Sequence, residues 1–267
     1  MRIILSRKGI DSGNINLASP ILPNGIMLSI PIPTDDETGL TYSDNLHTDG
    51  NTYFDILTKL NRGKKLEFLS MNIHLDPDIR KEAYRSSPHN WTPAFGTRSG
   101  DEAWARPSTL AQPGDLFLFF GRFRHVDEKY RYTSLDLHCI WGYMQVGKVL
   151  TDKSAIAQYS WHPHAKATRL LNEKNNTLYL PAVSLSWDKS KPGSDILRIS
   201  ENCQLTLPGH SRAIWKKQLF YMPDRVLNAN RKNSDNTGSG VYYSGIWQEL
   251  VLEESKSATD WAKSVIF

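Results

Sequence analysis

Pro113-Gly114-Asp115-Leu116-Phe117-Leu118-Phe119-Phe120-Gly121, followed after a polar stretch by Ile140-Trp141-Gly142-Tyr143-Met144-Gln145-Val146-Gly147-Lys148-Val149, decides the fold. Pro-Gly-Asp is a turn signal, and five consecutive large apolar residues bounded by glycine make a strand covered on both faces. The second run is equally apolar, and its two glycines sit where a strongly curved sheet bends. Between the runs lie Arg122, Arg124, Lys129 and Arg131. A basic loop near aromatic side chains suits phosphate contact and base stacking, and equally a solvated hairpin tip.

Other short apolar runs bounded by Pro, Gly, Asn and Asp predict strands over 2–6, 26–32, 65–73, 177–186, 203–207 and 247–252. Helices are fewer. Thr52 is an N-cap ahead of apolar positions 53, 56, 57 and 60, and weaker patterns predict helices over 77–85, 165–171, 212–220 and 258–266. The pattern predicts an α+β chain, mostly antiparallel, with a few short helices, in place of the strand-helix alternation of a doubly wound sheet. Residues 34–51 and 228–240 read as polar loops, the second as disordered, and no repeat or composition break divides residues 1–267 into more than one domain.

The chain has 267 residues, 39% hydrophobic and 10% aromatic, enough apolar payload for a core without staples. A net charge of +4 permits a polyanionic partner without requiring one. The longest apolar run falls short of a membrane span, charge at Arg7 and Lys8 breaks up any signal-peptide core, and two cysteines without a CxxC fit a reduced thiol pair. A soluble cytoplasmic protein is the expectation.

Three constellations carry possible chemistry. Ser6-Arg7-Lys8-Gly9-Ile10-Asp11-Ser12 follows the first strand, so Arg7 and Lys8 are candidates for phosphate and Asp11 for a base or hydroxyl ligand, with Gly9 supplying a positive-φ turn. His74-Leu75-Asp76 sets two side chains on one side of an extended segment, which suits a carboxylate-oriented imidazole. With a distant histidine it also has the spacing of the non-haem iron facial triad, while Asp76 before Pro77 equally suits a helix cap. Trp161-His162-Pro163-His164 pairs two imidazoles ahead of an expected helix. GxxxxGK[ST] and GxSxG are absent, which disfavours P-loop and serine acyl-enzyme chemistry. No cofactor and no metal-ligand set is assigned from the residues.

Ser6 to Ser12, Ser19-Pro20-Ile21, Pro31-Ile32-Pro33, His74 to Asp78, Gly114 to Gly121, Gly142 to Gly147, His162-Pro163-His164 and Gln248-Glu249-Leu250-Val251 together resemble the third class of the nucleotide modification associated domains. That resemblance implies a prokaryotic or phage protein associated with DNA base modification. It departs from the family pattern at Asn24-Gly25-Ile26, where Asp-Gly-Arg is expected, and at 244–249, where Gly-Arg-Gly-Gln-Glu is expected. The segment near 110–150 is also similar to the barrel core of PUA-like domains such as the EVE and ASCH groups, which implies contact with a modified base or RNA.

The expected function is therefore nucleotide or nucleic-acid base modification, with nucleotide, DNA or RNA as partner. The expected catalytic set is Lys8, Asp11, His74 and Asp76. Ser6, Arg7, Arg122, Arg124, Trp141, Tyr143, His162, His164, Gln248 and Glu249 are the expected substrate contacts. Two rivals stand beside it: a non-catalytic reader with an aromatic cage of Trp141, Tyr143 and Trp161, and a metal-dependent oxygenase built on His74, Asp76 and a distant histidine.

Overall fold

The computed structural model describes residues 1–44, 50–80, 90–98, 111–218, 227–228, 240–243, 245, 248–252 and 254–267. Its centre is the expected hairpin: β6 (Leu116–His125) runs antiparallel to β7 (Leu137–Leu150), with a register shift between Phe119 and Phe120. Both strands are buried along most of their length, because each face is covered, which is why their sequences read as continuous apolar runs rather than alternating ones. A second register shift falls between Val146 and Lys148, where a Cβ on Gly147 would sit 2.6 Å from the Ala182 nitrogen. Glycine there allows the sheet to bend against its neighbour.

β1 (Ile3–Arg7) pairs parallel with the first half of β6, and β2 (Ser19–Ile21) with its last residues. β13 (Glu249–Val251) closes the outer edge antiparallel to β1. On the other side β8 (Asn176–Pro181) and β9 (Ser194–Ile196) pair with β7, and β5 (Phe95–Arg98) with β8. The sheet order is β13-β1-β6-β7-β8-β5, with β2 and β9 attached off this path. β10 (Ile214–Lys216), β11 (Leu227–Asn228) and β12 (Gly240–Tyr243) form a separate antiparallel sheet, and β3 (Ile32–Thr34) pairs with β4 (Asn72–His74). This is an α+β chain with mostly antiparallel strands.

The helices are short: α1 (Tyr53–Leu60), α2 (Lys153–Ala157), α3 (Pro163–Lys166), α4 (Thr168–Leu171) and α5 (Lys256–Ile266). Thr52 caps α1 in a full capping box with Asp55, and Ser255 caps α5. One core packs β6, β7 and β1 against α5, and a second gathers Ile10, Tyr42, Tyr53, Ile56 and Ile73 beneath α1. Among the described residues no helix is long and apolar enough to cross a membrane. Cys139 and Cys203 are both free and buried.

Several expectations are corrected. Residues 65–73 form a 3₁₀ turn over Glu67–Ser70 before β4 begins. Residues 77–80 are not helical, since Asp78 instead bridges Ala94; the rest of that segment, like most of 228–240, lies outside the described residues. The described part of 212–220 holds strand β10, because Trp215 pairs with Val241 and is fully buried in the core. Residues 203–207 contribute only the isolated bridges of Gln204 and Thr206, and 26–32 is strand only at its end. The helix over 165–171 is two helices, broken at Ala167, whose backbone is extended.

Candidate functional site

A cleft of about 310 Å³ opens where the ends of β1, β4 and β5 meet α3 and α4, and it is lined by Arg7, Lys8, Asp11, His74, Asp76 and His164 among others. Each wall has a local cause. The Lys8 N–H donates to the Phe120 carbonyl at 2.7 Å, and Gly121 lets the chain pass there, since a Cβ on it would lie 2.6 Å from the Lys8 oxygen. Gly9 then turns the chain at φ +84°, as anticipated, with Ser29 packed where its Cβ would be. Lys8 thus lines the cleft, its ammonium 4.4 Å from the centre of the Phe95 ring.

His74 is the last residue of β4, and Asp76 follows two residues later. The helix-cap role allowed for Asp76 is not what the carboxylate does. Its Oδ1 accepts a 2.7 Å hydrogen bond from the Gly96 N–H of β5 and lies 3.2 Å from His162 Nε2. Its Oδ2 faces His74 Nε2 at 3.8 Å and Lys8 Nζ at 3.9 Å, both too long for hydrogen bonds. Burial alone would push this carboxyl up, but His162, His74 and the Lys8 charge outweigh it and hold it well below the usual carboxylate range.

His162 is fully buried and caps α3, accepting the His164 N–H at its Nδ1 at 3.3 Å. Its Nε2 is thereby left as the protonated nitrogen facing Asp76. His164 is fixed from the other side by Asn176, which opens β8. The Asn176 side-chain amide donates to the His164 carbonyl at 2.9 Å, so its Oδ1 is the atom that accepts from His164 Nδ1 at 2.7 Å. The free ring nitrogen of His164 is therefore Nε2. Burial pushes this imidazole down to about 3, so it is neutral near pH 7. One ligand atom from each of His74, Asp76 and His164 falls within 4.8 Å of the others, a grouping able to share an ion.

Gly96 is what permits this crowding. A Cβ there would lie 2.3 Å from His164 Cδ2 and 2.9 Å from His162 Cε1. On the outer wall, Arg169 of α4 grips Asp36 with two hydrogen bonds of 2.7 Å each, tying the 34–44 loop to the helix. Arg7 contacts Asp11 at 3.4 Å and donates to the Gly245 carbonyl.

Of the residues singled out from sequence, Arg7, Lys8, Asp11, His74, Asp76, His164 and Gln248 come together here, with His162 directly behind. Ser6 is buried one residue away and donates to Glu249 across the β1–β13 pair, so neither lines the cleft. Arg122 and Arg124 are on β6 itself, not on a free loop, and both close on Asp136. Trp141 and Tyr143 lie in the core, each 2% exposed, because both faces of β7 are covered; they form no open cage. Gly96, Asn176, Asp36 and Arg169 escaped the sequence reading, for none belongs to a local pattern of chemical residues.

The family model for nucleotide modification associated domain 3 matches residues 2–253. No curated protein and no solved structure matches the chain.

Proposed function

The chain belongs to the nucleotide modification associated domain 3 family, and from that premise we propose that it is an enzyme acting on the base of a nucleotide or nucleic acid at the β1–β4–β5 cleft. The observation that carries this reading is the convergence of His74, Asp76 and His164 in an open cleft that Arg7 and Lys8 also line. A surface that only recognises a base needs stacking rings and hydrogen-bond donors. Titratable groups of opposite sign, packed this closely and partly desolvated, instead mark a place where protons or charge are handled.

In this reading Lys8 and Arg7 meet phosphate or developing negative charge. His74 and Asp76 handle the reacting group, His162 and Asn176 hold Asp76 and His164 in place, and Gln248 at the rim offers an amide to a base edge. The reader alternative loses its main support with the burial of Trp141 and Tyr143.

The test is mass spectrometry of nucleosides from the DNA and RNA of cells expressing the protein with its genomic neighbours, against cells carrying His74→Ala plus Asp76→Ala. A modified nucleoside present only with the wild type is the expected result. Identical profiles, with the variant folded, would overturn the enzymatic reading in favour of a reader.

A further inference from the structure

We propose that His74, Asp76 and His164 bind a divalent first-row transition-metal ion through one face of its coordination sphere, leaving the opposite face open to the cleft. The proposal deepens the enzymatic reading above and rests on the same cleft. It changes the roles of two residues: His74 and Asp76 hold an ion rather than transferring protons themselves.

Four observations converge on this site. The first is distance. Three atoms no more than 4.8 Å apart have a common centre within about 2.8 Å of each, so ordinary bonds of about 2.0–2.1 Å to nitrogen and oxygen require inward movements of only about 0.7 Å. The His74–Asp76 separation of 3.8 Å is already close to what two ligands of one ion adopt.

The second is the preparation of His164. A metal-bound imidazole characteristically donates its other N–H to a carbonyl or carboxylate, which fixes both tautomer and ring orientation. Asn176 Oδ1 takes the Nδ1 proton of His164 at 2.7 Å, and the same amide donates back to the His164 carbonyl. The bond to Asn176 leaves Nε2 as the ring nitrogen with a lone pair to offer an ion.

The third is the division of labour on Asp76, whose side chain is 3% exposed. Oδ1 is anchored by the Gly96 N–H and lies 3.2 Å from His162 Nε2, while Oδ2 accepts no hydrogen bond among the described residues and faces His74 and Lys8 at 3.8 and 3.9 Å. A carboxylate this shielded from water is favoured by a cation placed against the oxygen that no protein N–H occupies. Lys8 supplies distant charge balance from the cleft side.

The fourth is accessibility. His74 is half-buried and its ring meets that of His164 edge to face at 5.3 Å, so both imidazoles border the cleft from which a ligand and the ion itself would arrive. Two imidazoles among three protein ligands favour a transition ion over magnesium or calcium, which take oxygen ligands, and three ligands on one face leave positions for water or substrate.

The test titrates the full-length chain, freed of metal by chelator, with Co(II) in the absence of any nucleotide. One equivalent is expected to bind and to develop ligand-field absorption in the visible, and excess Ca(II) is expected not to displace it. His74→Ala, at a partly exposed side chain that lines the cleft, should weaken binding at least tenfold. Asn176→Ala, which touches no ligand atom, should weaken it about 10- to 100-fold by releasing the His164 ring. Absence of Co(II) binding to the folded wild type, or binding that His74→Ala leaves unchanged, would overturn the site. Unchanged affinity in folded Asn176→Ala would remove His164 and overturn the three-ligand assignment. Because no nucleotide is present, failure of the nucleoside experiment leaves this result intact, and the reverse also holds.

Discussion

Gly96→Ala tests whether the packing of the two buried histidines against the β5 backbone is what holds the site together. The added Cβ would fall 2.3 Å from His164 Cδ2, 2.4 Å from His164 Cγ and 2.9 Å from His162 Cε1. Carbon atoms in contact sit about 3.5–4.0 Å apart, so the His164 ring has to withdraw by about 1.2 Å or β5 has to shift by as much. Withdrawal breaks the 2.7 Å contact of His164 Nδ1 with Asn176, and a strand shift breaks the 2.7 Å bond from the Gly96 N–H to Asp76 Oδ1. Overpacking of this kind costs about 1–3 kcal/mol and the lost hydrogen bond about 1 more, so a destabilisation of about 2–4 kcal/mol is expected. A withdrawal of about 1.2 Å adds to the inward movement of about 0.7 Å that binding already requires, so Co(II) affinity should fall at least tenfold even below the melting transition. Urea denaturation followed by circular dichroism and the Co(II) titration read the two effects separately. Wild-type stability together with wild-type affinity would refute the reasoning, because the rings could then not lie where the Cβ must go.

Asp136 accepts hydrogen bonds from Arg122, Arg124 and Arg212. Asp136→Asn should cost about 3–5 kcal/mol, because it leaves the Arg122 guanidinium, 8% exposed, with its charge uncompensated. Arg124→Ala, at a side chain 32% exposed, should cost under about 1 kcal/mol in the same urea experiment; equal losses would sink the distinction. His138 accepts a 3.0 Å hydrogen bond from Trp215 Nε1, and burial pushes it down to about 3 from 6.5. A histidine neutral in the fold and charged when unfolded gives stability that is complete above pH 6.5 and is lost as pH falls toward 3. Its loss between pH 7 and pH 5 is about 2 kcal/mol. His138→Gln, which retains an acceptor, should shrink the fall in unfolding free energy over that interval by this amount, and parallel curves for the two proteins would contradict it.

The β6–β7 hairpin was legible because two long apolar runs bounded by turn residues have few other ways to be buried, and the glycines marked its bend at Gly147. The same apolarity concealed the fate of Trp141 and Tyr143. A strand covered on both faces offers no alternation, so nothing local says that an aromatic residue on it lies in the core. Arg122 and Arg124 read as loop residues for a related reason: charge is local in sequence, but its compensation by Asp136, 14 and 12 positions onward, depends on strand pairing.

The candidate site divides along the same line. His74 and Asp76 are neighbours in the chain, and their convergence follows from period-two geometry alone. What joins them to His164 is the register of β5 on β8, where Arg98 faces Asn176 and Gly96 faces Leu178. That register carries the glycine that anchors Asp76 and the asparagine that orients His164 into one small region. A shift of one residue between these strands would reverse which side chains face the cleft while leaving every local motif intact. The chemistry of the cleft is thus written in short motifs, but its assembly is a property of strand pairing, and Gly96 and Asn176 are the residues through which pairing acts on the histidines.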